Sequence, residues 1–237
     1  MQAVVGKEQL LRALSARQAT TTVDRRALRT GLHALDELSP GGAFRRGAVH
    51  ELLWRRPSAA PTTLALLLAK AAQQMGGAVA WSDPERELYL PPLAAAGVDL
   101  RRLLLLRCPS RADQLWALAE CMRCRGISAT VASIQNLNQI EARRLQLAAE
   151  RGGGIGLFMR SYSPTAQTAY AAATRWLVQP AAGDDAMQRW RVELLYGHGG
   201  RTGQILLLEV DRETRALRAS APLADRPVAP AAARASA

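Results

Sequence analysis

Short apolar runs alternate with helically spaced apolar positions along the first two thirds of the chain. Continuous apolar runs of this length are typical of strands that are buried on both faces of a parallel sheet. Strands that alternate with helices predict βαβ units and a mostly parallel central sheet flanked by helices. The predicted strands are residues 49–54, 78–81, 103–106, 127–134 and 155–159, and helices are predicted to begin at Thr62, after Ser110 and at Ile140.

The pattern changes after residue 159. Residues 175–178, 189–196 and 204–210 have strand character, and no helical pattern separates them. Glycine-containing turns at residues 183–185 and 197–200 would join them as hairpins. We therefore predict an antiparallel C-terminal extension on the parallel core.

Three regions follow from these patterns. Residues 1–24 are predicted to be an N-terminal helix and linker, and residues 25–212 are the α/β core. From Arg215 onward the chain is mainly alanine, arginine and proline, which predicts a disordered tail over residues 213–237.

The N-terminal helix is predicted over residues 6–18. It places Leu10, Leu11 and Leu14 on one face. An apolar stripe needs burial against another surface. The helix is therefore either a docking element for a partner, with these three leucines as contact candidates, or a flap on the body of the protein.

The formal net charge is +11 over 237 residues, and arginine carries almost all of the positive charge. This balance favours anionic partners, either nucleic acid or an acidic protein face, although solvated charge explains it equally well. No apolar run approaches the ~20 residues of a membrane span. The N-terminus lacks the pattern of a secretory signal, so a cytoplasmic protein without a membrane segment is expected.

The cysteines do not form a persuasive metal motif. Cys121 and Cys124 have a C-x-x-C spacing, but there is no second pair, and the histidines lie far away in sequence. At positions i and i+3 of a helix, small cysteines are usually packing residues. No metal site is predicted.

The chain is organised around a strand, a short loop and a helix that begins at Thr62. This arrangement holds phosphate in nucleotide-binding proteins when the loop supplies glycines and a lysine. The loop here has neither, and Pro61 stands where the lysine would be. We therefore expect no nucleotide cofactor, although Arg55 and Arg56 could still meet a phosphate. The degenerate loop comprises Arg55, Arg56, Ser58, Pro61, Thr62 and Thr63.

Several stretches resemble the RecA family. Residues 30–38 and 41–52 are similar to the segment before its phosphate-binding loop, and residues 79–85 are similar to the strand that follows the loop helix. More narrowly, residues 141–150 and 191–195 resemble ImuA, the degenerate RecA-like family of bacterial translesion-synthesis cassettes. The resemblance spans roughly residues 30–210 and implies a RecA-like fold.

The resemblance also locates the catalytic positions of an ATPase. The loop lysine is replaced by Pro61, and residues 133–136, at the end of the fourth core strand, contain no carboxylate to hold Mg²⁺ through water. Glu85 stands where the family places its water-activating glutamate, but a base needs a positioned substrate. We interpret Glu85 as vestigial and the protein as a pseudo-ATPase.

Single-stranded DNA is a possible ligand of the segment after residue 159. Tyr162 and Tyr170 lie between Arg160 and Arg175, and aromatics between arginines can stack bases over a charged floor. Tyrosines in a short loop can equally cover the edge of the core. The four residues are therefore candidate DNA contacts.

The resemblance implies a non-catalytic accessory protein in SOS-induced translesion DNA synthesis and mutagenesis. Its implied partners are RecA, a catalytically inactive ImuB-like Y-family polymerase and an error-prone replicative-type polymerase. Two other hypotheses remain open: an active RecA-family ATPase that binds DNA, and a cell-division inhibitor of the SulA type. The length of the chain and its full antiparallel extension argue against the second.

Overall fold

The computed structural model describes residues 2–4, 6–20, 27–55, 61–162, 172–197, 202–214 and 216–220. The strands are β1 (Gln2–Val4), β2 (Ala48–Trp54), β3 (Ala78–Ser82), β4 (Leu103–Leu106), β5 (Ile127–Ser133), β6 (Ile155–Ser161), β7 (Ala172–Ala181), β8 (Met187–Gly197), β9 (Ile205–Asp211) and β10 (Leu217–Ser220). The helices are α1 (Lys7–Thr20), α2 (His33–Leu38), α3 (Thr62–Gln74), α4 (Leu90–Ala95), α5 (Arg111–Arg123) and α6 (Gln139–Gly152). Pro40–Gly42 and Leu100–Arg102 form 3-10 turns.

All ten strands belong to one sheet, in the order β1-β4-β3-β5-β6-β2-β7-β8-β9-β10. In this spatial order, all neighbouring strands between β1 and β7 are parallel to each other. The pairs β7–β8, β8–β9 and β9–β10 are antiparallel. The predicted fold class is therefore confirmed. β7 joins the two halves, because it is parallel to β2 on one side and antiparallel to β8 on the other.

Helices cover both faces of the parallel region, as expected for βαβ connectivity. The first core layer lies under α2, α3 and α4 and includes Leu35, Leu68 and Trp176. The second core layer lies under α1, α5 and α6 and includes Leu10, Leu118 and Leu145. The strand β2 runs between these layers, and every one of its seven side chains is buried.

Local signals explain where the helices of the second layer begin. The Ser110 side chain accepts a hydrogen bond from the Asp113 backbone N–H, which confirms the predicted cap of α5. Asn138 and Glu141 form a reciprocal capping box at α6. Gly153, with a φ of 76°, ends α6 in the left-handed conformation that glycine adopts most readily.

The N-terminal segment is part of the body. β1 extends the sheet by pairing in parallel with β4, and α1 packs beside α5 in the second core layer. The predicted boundary at residue 24 therefore does not correspond to a separately packed unit. At the other end, β10 (Leu217–Ser220) pairs with β9 inside the predicted tail, whereas residues 221–237 lie outside the described residues.

A membrane-spanning helix is not found in the described part of the chain, where no helix is both long enough and apolar enough to cross a bilayer.

Candidate functional site at the carboxyl edge of the sheet

The carboxyl ends of β2, β3, β5 and β6 meet at one edge of the sheet, where parallel α/β proteins place their ligand sites. β2 ends at Trp54 and α3 begins at Thr62, so the degenerate loop lies at this edge. Of that loop, Arg56 and Ser58 fall within residues 56–60, outside the described residues.

Arg55 is held at the start of the loop by an aromatic ring. Its guanidinium carbon lies 4.3 Å from the centroid of the Tyr162 ring, which is within the range of a cation–π contact. Tyr162 is itself fixed, because its backbone N–H donates to the Trp54 carbonyl at 2.7 Å. Arg55 and Tyr162 therefore connect the ends of β2 and β6.

The first turn of α3 begins directly after Pro61. Pro61 has a φ of −75° and precedes the helix as its cap residue, and no side chain caps this end of α3. Thr62 already lies inside the helix, so its hydroxyl is not the N-cap. Pro61 offers neither an N–H group nor a charge at the position where a phosphate-binding lysine would stand.

Neutral amides and hydroxyls connect the strand ends beside the loop. The Gln135 side-chain oxygen accepts a hydrogen bond from the Ser161 backbone N–H at 3.1 Å. The Gln114 amide donates to the Ser82 hydroxyl oxygen at 2.9 Å. These groups link β5 to β6 and α5 to β3, and none of them carries the negative charge that would hold Mg²⁺.

The carboxylate nearest to the end of β3 stabilises its own turn. Asp83 is buried, and its Oδ1 accepts from the backbone N–H groups of Glu87 and Leu88 at 2.9 and 3.1 Å. Its other oxygen lies 4.0 Å from the Arg107 guanidinium. Glu85 is an exposed residue of this turn.

A cluster of three or more metal-ligating side chains does not occur within the described ranges. Cys121 and Cys124 are buried in the second core layer, and all three cysteines are free. Burial raises the pKa of the Cys121 and Cys124 thiols, which disfavours the thiolate that binds metal or reacts. The two residues therefore serve as packing residues.

Glu51, Arg160 and Arg175 form an ion triad beneath the surface. The Arg160 Nη1 lies 2.5 Å from Glu51 Oε1, and the Arg175 Nε lies 2.8 Å from Glu51 Oε2. The side chains of Glu51 and Arg160 are only 1% and 8% exposed, and that of Arg175 is 24% exposed. Each carboxylate oxygen therefore has its own guanidinium partner on a neighbouring strand.

This triad corrects the proposed DNA-contact set. Arg160 is a buried structural residue, and Arg175 is directed mainly to Glu51 rather than to solvent. Tyr162 is half-buried under Arg55, and Tyr170 lies outside the described residues. The three described candidates do not form one exposed surface. The sequence offered one signal for the triad, which was a glutamate within a mostly apolar strand.

The three N-terminal leucines also separate in the structure. Leu10 and Leu14 are buried, with 2% and 5% exposure, whereas Leu11 is 46% exposed. The prediction of all three as a partner-binding stripe is therefore corrected, because two of them already contact the protein's own core. The hypothesis of a flap on the body agrees with their burial.

Comparisons with known proteins bear on the family. A scan against protein-family models finds no match. Two curated proteins named Protein ImuA, from Caulobacter vibrioides strains NA1000 / CB15N and ATCC 19089 / CIP 103742 / CB 15, are each 32% identical over 236 residues. Each alignment covers 90% of this chain and 97% of the relative. The chain belongs to the ImuA family.

A solved structure supports the fold. The crystal structure of the RadB recombinase has a TM-score of 0.62 with this chain, at 18% sequence identity, and the match covers 81% of this chain and 98% of the other. At that identity the likeness concerns the fold alone. This ImuA-family chain thus has a RecA-like architecture, as the resemblance of residues 30–210 implied.

Proposed function

We propose that this ImuA-family protein is a non-catalytic RecA-like accessory protein in SOS-induced translesion DNA synthesis and mutagenesis. Its proposed partners are RecA, an ImuB-like inactive Y-family polymerase and an error-prone replicative-type polymerase. The observation that carries the proposal is family membership over nearly the whole chain, combined with Pro61 at the lysine position of the loop.

The chemistry of the carboxyl edge supports a pseudo-ATPase. Hydrolysis of ATP needs charge at the γ-phosphate and a carboxylate that orients Mg²⁺. Pro61 and the neutral residues that follow β5 supply neither. The loss of one electrostatic element of this kind costs about 2.7–4 kcal/mol of transition-state stabilisation. Two such losses would make turnover too slow to support a motor or a filament cycle.

The first experiment measures phosphate release from millimolar ATP with Mg²⁺, together with the melting temperature. We expect the protein and its Glu85→Gln variant to release phosphate at the same background rate. We also expect ATP to leave the melting temperature unchanged, because only a ligand that binds the folded state raises it. Turnover by the unaltered protein that disappears in Glu85→Gln would overturn the proposal and restore the ATPase hypothesis.

The second experiment measures partner binding with purified RecA, in the presence and absence of single-stranded DNA, and with the two polymerase partners. We expect at least one of these proteins to bind without ATP turnover. Binding to the tubulin-like division protein, without binding to any of the three, would instead support a SulA-type inhibitor.

A further inference from the structure

The outer face of α6 carries a stripe that the described residues of the protein leave exposed. Ile140, Arg143, Arg144, Leu147 and Arg151 occupy positions i, i+3, i+4, i+7 and i+11, which lie on one side of a helix. Ile140 and Leu147 are 82% and 40% exposed. We call these five residues the α6 stripe.

The α6 stripe borders a surface groove. The groove has a volume of about 460 Å³, and Arg123 at the end of α5 lines it together with all members of the stripe. The opposite side of α6 is occupied, because Leu145 and Ala149 are buried in the second core layer and Ala142 is also buried. One side of α6 therefore packs against the core, and its other side is exposed.

The positive charge of the stripe is not neutralised locally. Arg143, Arg144 and Arg151 form no ion pair with any described residue. The nearby acids of α6 are already engaged: Glu141 pairs with Arg111 at 2.9 Å, and Glu150 accepts from Gln146 at 3.0 Å. Three guanidinium groups are thus available beside two exposed aliphatic side chains.

We propose that the α6 stripe docks an acidic amphipathic segment of a partner protein. Aliphatic side chains on the segment would contact Ile140 and Leu147, and its acidic side chains would pair with Arg143, Arg144 and Arg151. Arginine is enriched at protein interfaces, where its planar group binds carboxylates through paired hydrogen bonds. The exposed aliphatic side chains of Ile140 and Leu147 beside the arginines favour a protein ligand over a phosphate backbone.

The proposal rests on the accessory function only for the identity of the partner. The chemistry of the surface is testable without any cassette protein, so a failure here is distinguishable from a failure of the proposed function. The probe is a fluorescently labelled peptide with leucines at helical spacing i, i+3, i+4 and i+7, flanked by glutamates. A peptide of the same composition in scrambled order and a labelled single-stranded oligothymidine are the two controls.

Binding is measured by fluorescence anisotropy with the full chain and with two double variants. Arg143→Glu with Arg144→Glu removes the charge complementarity, and Ile140→Gln with Leu147→Gln removes the apolar contacts while keeping good helix formers. The matched control is Arg29→Glu with Arg125→Glu. It changes the net charge equally at two exposed arginines that do not line the groove.

We expect the amphipathic peptide to bind the unaltered protein and the control variant equally, and to bind each stripe variant at least tenfold more weakly. Melting temperatures within a few degrees of the unaltered protein would exclude unfolding as the cause. The proposal is overturned if the scrambled peptide binds equally well, or if the stripe variants retain full affinity. It is also overturned if oligothymidine binds in preference to the peptide with the same dependence on Arg143 and Arg144, because the surface would then recognise phosphate.

Discussion

At the scale of single residues, His50 is a fully buried imidazole whose hydrogen bonds define its tautomer. Its Nε2 lies 2.9 Å from the Arg45 carbonyl, which can only accept, so Nε2 carries the proton. Its Nδ1 then accepts from the Thr174 hydroxyl at 2.7 Å, and that hydroxyl oxygen accepts from the Trp176 indole. The neutral ring therefore satisfies every partner in this cluster.

Burial lowers the pKa of His50 from 6.5 to about 4, because the charged ring would lose its hydration. The unfolded chain therefore binds a proton that the folded protein does not between these two pH values. We expect the free energy of unfolding to fall as the pH decreases from 6.5 towards 4, by on the order of 3 kcal/mol. Urea titrations across this range measure the slope, and His50→Gln should flatten it. An equal slope in both proteins would contradict the assignment to His50.

Glu51 is the second residue whose environment leads to a prediction. Removal of the carboxylate leaves Arg160 buried without its counter-charge and Arg175 half-buried. We expect Glu51→Ala to lower the free energy of unfolding by about 3–5 kcal/mol, the usual effect of breaking a buried ion pair. The matched control is Glu8→Ala, which removes an exposed partner of Arg12 and should have little effect. Similar losses in the two variants, measured by urea unfolding, would show that the triad is not an important stabilising unit.

At the scale of elements, α1 is attached to the body by one face. Leu10 and Leu14 pack in the second core layer, and Lys7 pairs with Asp113 at 3.1 Å while lying 5.5 Å from the centroid of the Trp116 ring. These contacts join α1 to α5. The amphipathic pattern identified the helix correctly, but the partner of its apolar face is the protein itself.

The three leucines of α1 should therefore respond differently to truncation. We expect Leu10→Ala and Leu14→Ala each to lower the free energy of unfolding by about 2–4 kcal/mol, because each leaves a cavity in the core. Leu11→Ala should change it by less than about 1 kcal/mol, because Leu11 is already half-exposed. Thermal and urea unfolding measure both effects. A small loss at Leu10 together with a large loss at Leu11 would mean that α1 packs by the opposite face.

This difference also affects how partner binding by α1 is tested. A variant of Leu10 or Leu14 that fails to bind RecA could fail because the core is disturbed, since both side chains are buried. Leu11 is the member of the predicted set that can be changed with least effect on packing. Its replacement is consequently the informative variant for the partner hypothesis.

At the scale of the whole molecule, a single sheet connects the RecA-like core to the antiparallel extension. β7 forms backbone hydrogen bonds with both β2 and β8. Trp176 on β7 stacks with Phe44 at a centroid distance of 5.4 Å in the first core layer. At the opposite end of the sheet, β1 forms the edge strand. The chain therefore has continuous hydrogen bonding from β1 to β10 and no division between the predicted regions within the described residues.

The local pattern of the sequence was sufficient for most of the element order. The five core strands, the helices α3, α5 and α6 and the three later strands were predicted close to their observed positions, because apolar periodicity is set within one element. β1 and β10 were not predicted. Each is only three or four residues long, and such a strand is stabilised by its neighbour rather than by its own composition.

The sequence by itself determined the chemistry that the loop can offer, because the absence of a lysine at Pro61 and of a carboxylate after β5 is a matter of residue identity. Only the tertiary structure decided which side chains are buried or ion-paired and which are accessible to a partner. Leu10 and Leu14 turn inward, and Arg160 and Arg175 turn to Glu51, which lies more than a hundred residues away in sequence. Burial and ion pairing depend on neighbours brought together by folding, and the local spacing of residues does not contain that information.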